Sequence, residues 1–181
     1  MNKNFNISNT LSVLRIVLVI PISLLLLNGE GSSKYIALTL IAVAIASDWF
    51  DGYFARKYNQ VSDLGKILDP LGDKIAIGVI AVILVIQAAV PLWLMVAFIL
   101  RDILILAGGL YMKKVKNILP QSNIAGKITV GIISVYLLLS ILRYDELQTV
   151  TGVFLFLSLA FMILSFVLYV INFLNIIYRK V

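Results

Sequence analysis

The chain has 181 residues, 61% of them hydrophobic and 13% charged, and a mean hydropathy of +1.04. A soluble domain carries about a quarter charged residues, so this apolar excess excludes a water-soluble globule and calls for lipid around the chain. The net charge of +6 and pI of about 9.6 argue for no nucleic-acid partner, because the basic residues cluster between apolar runs, as membrane orientation demands.

Cysteine and histidine are both absent. Disulfides and thiolate metal sites are therefore excluded. Any bound metal must take oxygen ligands, which favours Mg²⁺ or Mn²⁺ over Zn²⁺.

Taken in chain order, the stretch NKNFNISN has two readings. It forms a short interfacial helix with Phe5 and Ile7 in lipid and Lys3 in water, or it has no regular structure. A membrane-spanning helix needs roughly 20 mostly apolar residues, and six runs qualify: about 11–28, 35–55, 68–88, 91–112, 124–142 and 149–177. The first lacks a small-residue cleavage site after its apolar stretch and reads as a retained membrane helix. Breaks fall at NGEGSSK, NQVSD, AAVP, KKVKNILPQSN and RYDEL, all rich in turn-forming or charged residues. The last run is longer than a bilayer requires. The expected fold is an all-α, polytopic integral membrane bundle of six transmembrane helices, one domain over 1–181.

Orientation follows from lysine and arginine. One side would carry Lys3, Arg15, Arg56, Lys57, Lys66, Lys74, Lys113, Lys114, Lys116, Lys127, Arg179 and Lys180. The other would carry Lys34 and Arg143 beside Glu30, Asp145 and Glu146. The positive-inside rule then puts both termini, and the acidic stretch discussed next, in the cytoplasm.

That stretch, SDWFDGYFARKYNQVSDLGKILDPLGDK, covers residues 47–74. Asp48 and Asp51 are three apart near the end of the second helix, and Asp69 and Asp73 four apart at the start of the third. Both spacings share a helix face. A short turn through Asn59 to Asp63 lets the two helices pack antiparallel with their acidic faces together. Four such carboxylates would repel and partly protonate; divalent cations held between facing helices remove the conflict. Pro70 suits a first helical turn, Gly52 and Gly65 allow close approach of a ligand to backbone, Ala55 is small, and Arg56 offers a planar cation for phosphate. The plainer reading makes these helix-end charges paired with Lys57, Lys66 and Lys74. Four acids at paired spacing, interleaved with glycines and an arginine, weigh against it given the cost of intramembrane charge.

Two further cations stand out. Arg101 lies well inside the apolar run FILRDILIL, beside Asp102. It forms a structural ion pair, or it gives a cationic wall to an anionic ligand. Lys127 lies in SNIAGKIT, which opens the fifth helix with Ser122 as a cap. It is a positive-inside anchor or a second phosphate contact. Gly108, Gly109, Gly126 and Gly131 permit close helix approach, and the basic run KKVKN would attract anionic headgroups.

Residues 48–73 read D-x₂-D-G-x₂-A-R-x₈-G-x₃-D-x₃-D, which resembles the signature of the CDP-alcohol phosphotransferase family at every defined position. The likeness extends over the whole chain in length, helix layout and motif placement. One departure is Gly72, where many relatives carry alanine; a local loosening of packing is the expected effect.

The resemblance implies transfer of a phosphatidyl-type group from a CDP-linked lipid to an alcohol, with release of CMP. It assigns Asp48, Asp51, Asp69 and Asp73 as metal ligands for Mg²⁺ or Mn²⁺, two ions per site, with Asp73 also the base for the acceptor hydroxyl. Gly52, Ala55, Arg56 and Gly65 would line the CDP pocket with Asp48, Asp51 and Asp69. The opening NISNTLSVLR is similar to the N-I-P-N-x-L-T-x-x-R of the phosphatidylglycerophosphate and cardiolipin synthase branch, with Ser8 in place of proline. By that likeness Asn9 reaches a CDP phosphate, Arg101 and Lys127 bind the acceptor, and the acceptor is sn-glycerol 3-phosphate. Phosphatidylglycerol, inositol phosphate and serine remain alternative acceptors. The same likeness implies a homodimer; the expected location is a bacterial cell (inner) membrane, with the active site facing the cytoplasm as the positive-inside rule has it. A cation transporter would instead distribute charge along a path across the membrane. A non-enzymatic adaptor explains neither the glycines nor the aspartates.

Overall fold

The computed structural model describes residues 7–28, 31–57, 65–117 and 124–178, with side chains for all of these except 7–15, 48–57, 65–71 and 73. Six α-helices follow one another: α1 (Ile7–Asn28), α2 (Ser33–Lys57), α3 (Gly65–Ile86), α4 (Leu92–Lys116), α5 (Ile124–Leu142) and α6 (Gln148–Tyr178). A single 3₁₀ turn, Asp145–Leu147, precedes α6, and no strand occurs among the described residues. The protein is all-α and membrane-embedded. By length and composition α4, α5 and the stretch Asp145–Tyr178 are each able to cross a bilayer. At 1.5 Å per residue, the 31 residues of α6 extend about 46 Å, longer than the hydrocarbon core.

The helices match the six apolar runs, with shifts of a few residues at the ends. Residues 7–9 of the amino-terminal stretch belong to α1 itself, and residues 1–6 lie outside the described residues. The third helix begins at Gly65, earlier than its apolar run, so Pro70 sits beyond its first turn and not within it.

The chain forms two compact units, Met1–Gln87 and Ala88–Val181. In the first, α1 packs against both α2 and α3. Val19, Ile22 and Leu26 on α1 recur at helical spacing and are buried, as are Ala37, Ile41 and Ala44 on α2 and Ile83 and Leu84 on α3. The Gln87 side-chain amide donates to the Leu26 carbonyl at 2.6 Å. Leu26 lies in the last turn of α1, where carbonyls have no intrahelical partner, so the end of α3 satisfies the end of α1.

In the second unit α6 packs against both α4 and α5. The Arg101–Ser165 and Tyr169–Ile105 bonds both join residues 64 apart in sequence, so α4 and α6 run parallel here. Thr129 on α5 reaches the Phe161 carbonyl on α6. The two residues are equidistant in sequence from Asp145, as an antiparallel hairpin turning there requires. Large apolar side chains such as Val96, Ile99, Ile103 and Leu106 on α4 are exposed; lipid is the solvent they fit.

Helix ends and interior hydroxyls follow the same logic. The α4 terminus is capped by Asn117 in the left-handed region, φ 54°, with its N–H donating to the Lys113 carbonyl. Lys113, Lys114 and Lys116 in that last turn complement the helix dipole. Ser23, Thr39, Ser134, Ser140, Thr151 and Ser158 each donate to the carbonyl four residues earlier, which satisfies a hydroxyl inside a helix where lipid offers no partner.

Candidate active site

The acidic motif spans two consecutive helices of the first unit. Asp48, Asp51, Gly52, Ala55 and Arg56 lie in the last turns of α2, and Gly65, Asp69 and Asp73 in the first turns of α3. The backbone is helical across both aspartate pairs, as the three- and four-residue spacings require. Asn9 lies in the first turn of α1. The side chains of all these residues fall outside the described ones, as do the Asn59–Asp63 turn and Ser122. Gly72, between Asp69 and Asp73, is buried. Among the described residues no three acidic side chains gather into a metal site. The donor set of the motif itself is all carboxylate, which suits a hard divalent cation.

The second polar cluster is fully described. Arg101 is 8% exposed, on α4 nine residues after Leu92. Its Nη1 lies 2.7 Å from the Asp102 carboxylate, and its Nη2 donates to Ser165 Oγ on α6 at 2.7 Å. Ser165 is fully buried and its own hydroxyl proton points to the Met162 carbonyl at 3.0 Å. Ser165 is thereby oriented to accept from the guanidinium. The Arg101 Nε–H has no partner among the described residues, although it is buried. The ion pair with Asp102 foreseen for Arg101 is present, and an interhelical hydrogen bond to Ser165 accompanies it. Lys127, one turn into α5, is exposed.

One turn further along the α4–α6 contact, Tyr169 donates to the Ile105 carbonyl at 2.7 Å. A Cβ on Gly108 would fall 2.8 Å from the Tyr169 hydroxyl, so this glycine is where the two helices come close. Gly131 has nothing within 4 Å among the described residues, and marks no such contact. Tyr111 and Phe173 continue the seam, with ring centroids 6.2 Å apart. Thr129 Oγ1 lies 2.7 Å from the Ala125 carbonyl and 3.0 Å from that of Phe161, sharing one proton between its own helix and α6.

Ser165, Tyr169 and Thr129 escaped the sequence reading. Their signal is weak but real: Ser158, Ser165 and Tyr169 interrupt the long apolar helix α6 at seven- and four-residue spacing, which puts them on one face.

These features define a class: a polytopic helical membrane protein with a tetra-aspartate motif carried on two successive helices. The chain matches the description "CDP-alcohol phosphatidyltransferase" over residues 5–171, and it belongs to that family. It is similar to proteins of Aquifex aeolicus (31% identity, covering 97% of this chain and 99% of that one), Bacillus subtilis (33%, 68% and 70%) and Pseudomonas fluorescens (43%, 49% and 45%). Each of the three is named CDP-diacylglycerol--glycerol-3-phosphate 3-phosphatidyltransferase.

Proposed function

We propose that the chain transfers the phosphatidyl group of CDP-diacylglycerol to sn-glycerol 3-phosphate, giving phosphatidylglycerophosphate and CMP. The observation that supports this most strongly is the complete eight-residue signature on α2 and α3, in a chain aligned end to end with a relative of that name. The six helices would all cross the membrane, with both termini and the motif in the cytoplasm, in a bacterial inner membrane and as a homodimer. The whole of 1–181 is one catalytic domain in this reading, its two compact units being parts of it.

Asp48, Asp51, Asp69 and Asp73 would hold Mg²⁺ or Mn²⁺. Such ions, when bound, neutralise the charge that develops on the phosphoryl oxygens and the departing CMP. Arg56 would pair with the pyrophosphate, and Gly52, Ala55 and Gly65 would leave room for the nucleotide, with Asn9 on its phosphate. An alcohol is a poor nucleophile at neutral pH, so Asp73, last along the motif, would take the hydroxyl proton. The acceptor oxygen bonds to the lipid-side phosphorus as the bond from that phosphorus to the CMP oxygen breaks. Arg101 and Lys127 would supply positive charge for the acceptor phosphate.

An acceptor panel tests this reading. Purified protein, CDP-diacylglycerol and Mg²⁺ are incubated with each candidate alcohol, and lipid products are identified by mass. Phosphatidylglycerophosphate is expected from glycerol 3-phosphate, with CMP release stopped by chelation and restored by Mg²⁺ or Mn²⁺. Product from phosphatidylglycerol and none from glycerol 3-phosphate would make the chain a cardiolipin synthase instead.

A further inference from the structure

A buried N–H without a partner is destabilising, and in a membrane interior no bulk water relieves it. The Arg101 Nε–H is such a group among the described residues, on a side chain only 9% exposed. The rest of the guanidinium is held from two directions: Asp102 on its own helix takes Nη1 and Ser165 on α6 takes Nη2. Ser165 is locked as an acceptor because its proton goes to Met162. The Tyr169–Ile105 bond and the close approach at Gly108 hold α6 against α4 one turn away. A planar cation fixed at two nitrogens has one orientation left.

We infer that Ser165 is a positioning residue: together with Asp102 it fixes the Arg101 guanidinium so that its Nε–H, which has no partner among the described residues, is left for the phosphate of an anionic acceptor. This rests on the reading of Arg101 as an acceptor contact. Without Ser165 the guanidinium can swing about its side-chain torsions, and the rotamer freedom must be lost on binding. Arg101 keeps its charge throughout, so the electrostatic attraction survives while the geometry is lost.

The test measures CMP release by the purified full-length protein with CDP-diacylglycerol and Mg²⁺ as glycerol 3-phosphate is varied. Ser165→Ala is expected to raise KM for glycerol 3-phosphate about tenfold, the scale of one lost charge-assisted hydrogen bond, with kcat and KM for CDP-diacylglycerol unchanged. Ser165→Cys, close in volume and a weaker acceptor, should fall between wild type and alanine, and it decides the matter should the alanine variant fail to fold. Ser158→Ala removes an equally buried hydroxyl whose bond stays within α6 and should change none of the three constants. Arg101→Gln separates the proposal from the reading beneath it. If Arg101→Gln raises the acceptor KM but the Ser165 variants do not, Ser165 has no positioning role. If Arg101→Gln also leaves that KM unchanged, Arg101 does not hold the acceptor and both fall. A uniform shift of all constants in the Ser165 and Ser158 variants alike would reduce Ser165 to a packing residue.

Discussion

The two halves of the chain share a plan and differ in what holds them. In Met1–Gln87 the hub is the first helix; in Ala88–Val181 it is the last. The first unit closes around aliphatic residues such as Ile22, Leu26, Ile41 and Leu84, with the Gln87–Leu26 bond tying two helix ends. The second is joined by polar ties deep within its helices: Arg101 to Ser165, Tyr169 to Ile105, Thr129 to Phe161. Van der Waals packing tolerates small slides between helices, whereas a hydrogen bond to a particular carbonyl sets register. The motif with four carboxylates lies in the first half; among the described residues, hydrogen bonds between helix interiors fix register in the other half.

The largest effect that would separate the halves is on chemistry. Asp73→Asn should lower CMP release by about 10²–10⁴-fold, the usual contribution of a positioned base, while CDP-diacylglycerol binding remains measurable. Near-normal turnover would remove Asp73 from that role. The next largest is on stability, in the other half. Arg101→Leu deprives the Asp102 carboxylate of its guanidinium partner and should cost about 3 kcal/mol in detergent unfolding. Arg101→Leu combined with Asp102→Leu should recover most of that loss, since a missing pair costs less than a broken one.

The helices were legible in the sequence, the polar ties between them much less so. Each of the six apolar runs corresponds to a helix within a few residues, and three stretches are long and apolar enough to cross a bilayer. The aspartate pairs lie on continuous helix, as their spacing foretold. The partners of Arg101 were only half legible. Asp102 is its neighbour, but Ser165 is 64 residues away, and a serine in an apolar run is as readily satisfied by its own helix, as Ser158 is. The glycines were no more decisive: Gly108 and Gly131 look alike in sequence, yet only the first faces a tyrosine. What distinguishes them is the identity of the opposing helix, which periodicity does not encode.

That glycine pair sharpens the comparison at a smaller scale. Gly108→Ala should displace the Tyr169 ring, break its bond to Ile105 and cost about 1–3 kcal/mol. Gly131→Ala meets open space among the described residues and should stabilise α5 by up to about 1 kcal/mol through helix propensity. Thermal unfolding of the two variants side by side checks the sign of each. Smallest of all, Gln87→Leu should cost about 1 kcal/mol, one hydrogen bond at the end of α1, without altering the second unit.

The central claim is that the acids of α2 and α3 act together on shared dications. Counting Mn²⁺ bound to the purified protein in the presence of CDP, by electron paramagnetic resonance, tests it most directly. The account predicts saturation near about two ions per chain, with binding lost in Asp48→Asn on one helix and equally in Asp69→Asn on the other. Binding that survives either substitution unchanged would contradict a site shared between the two helices.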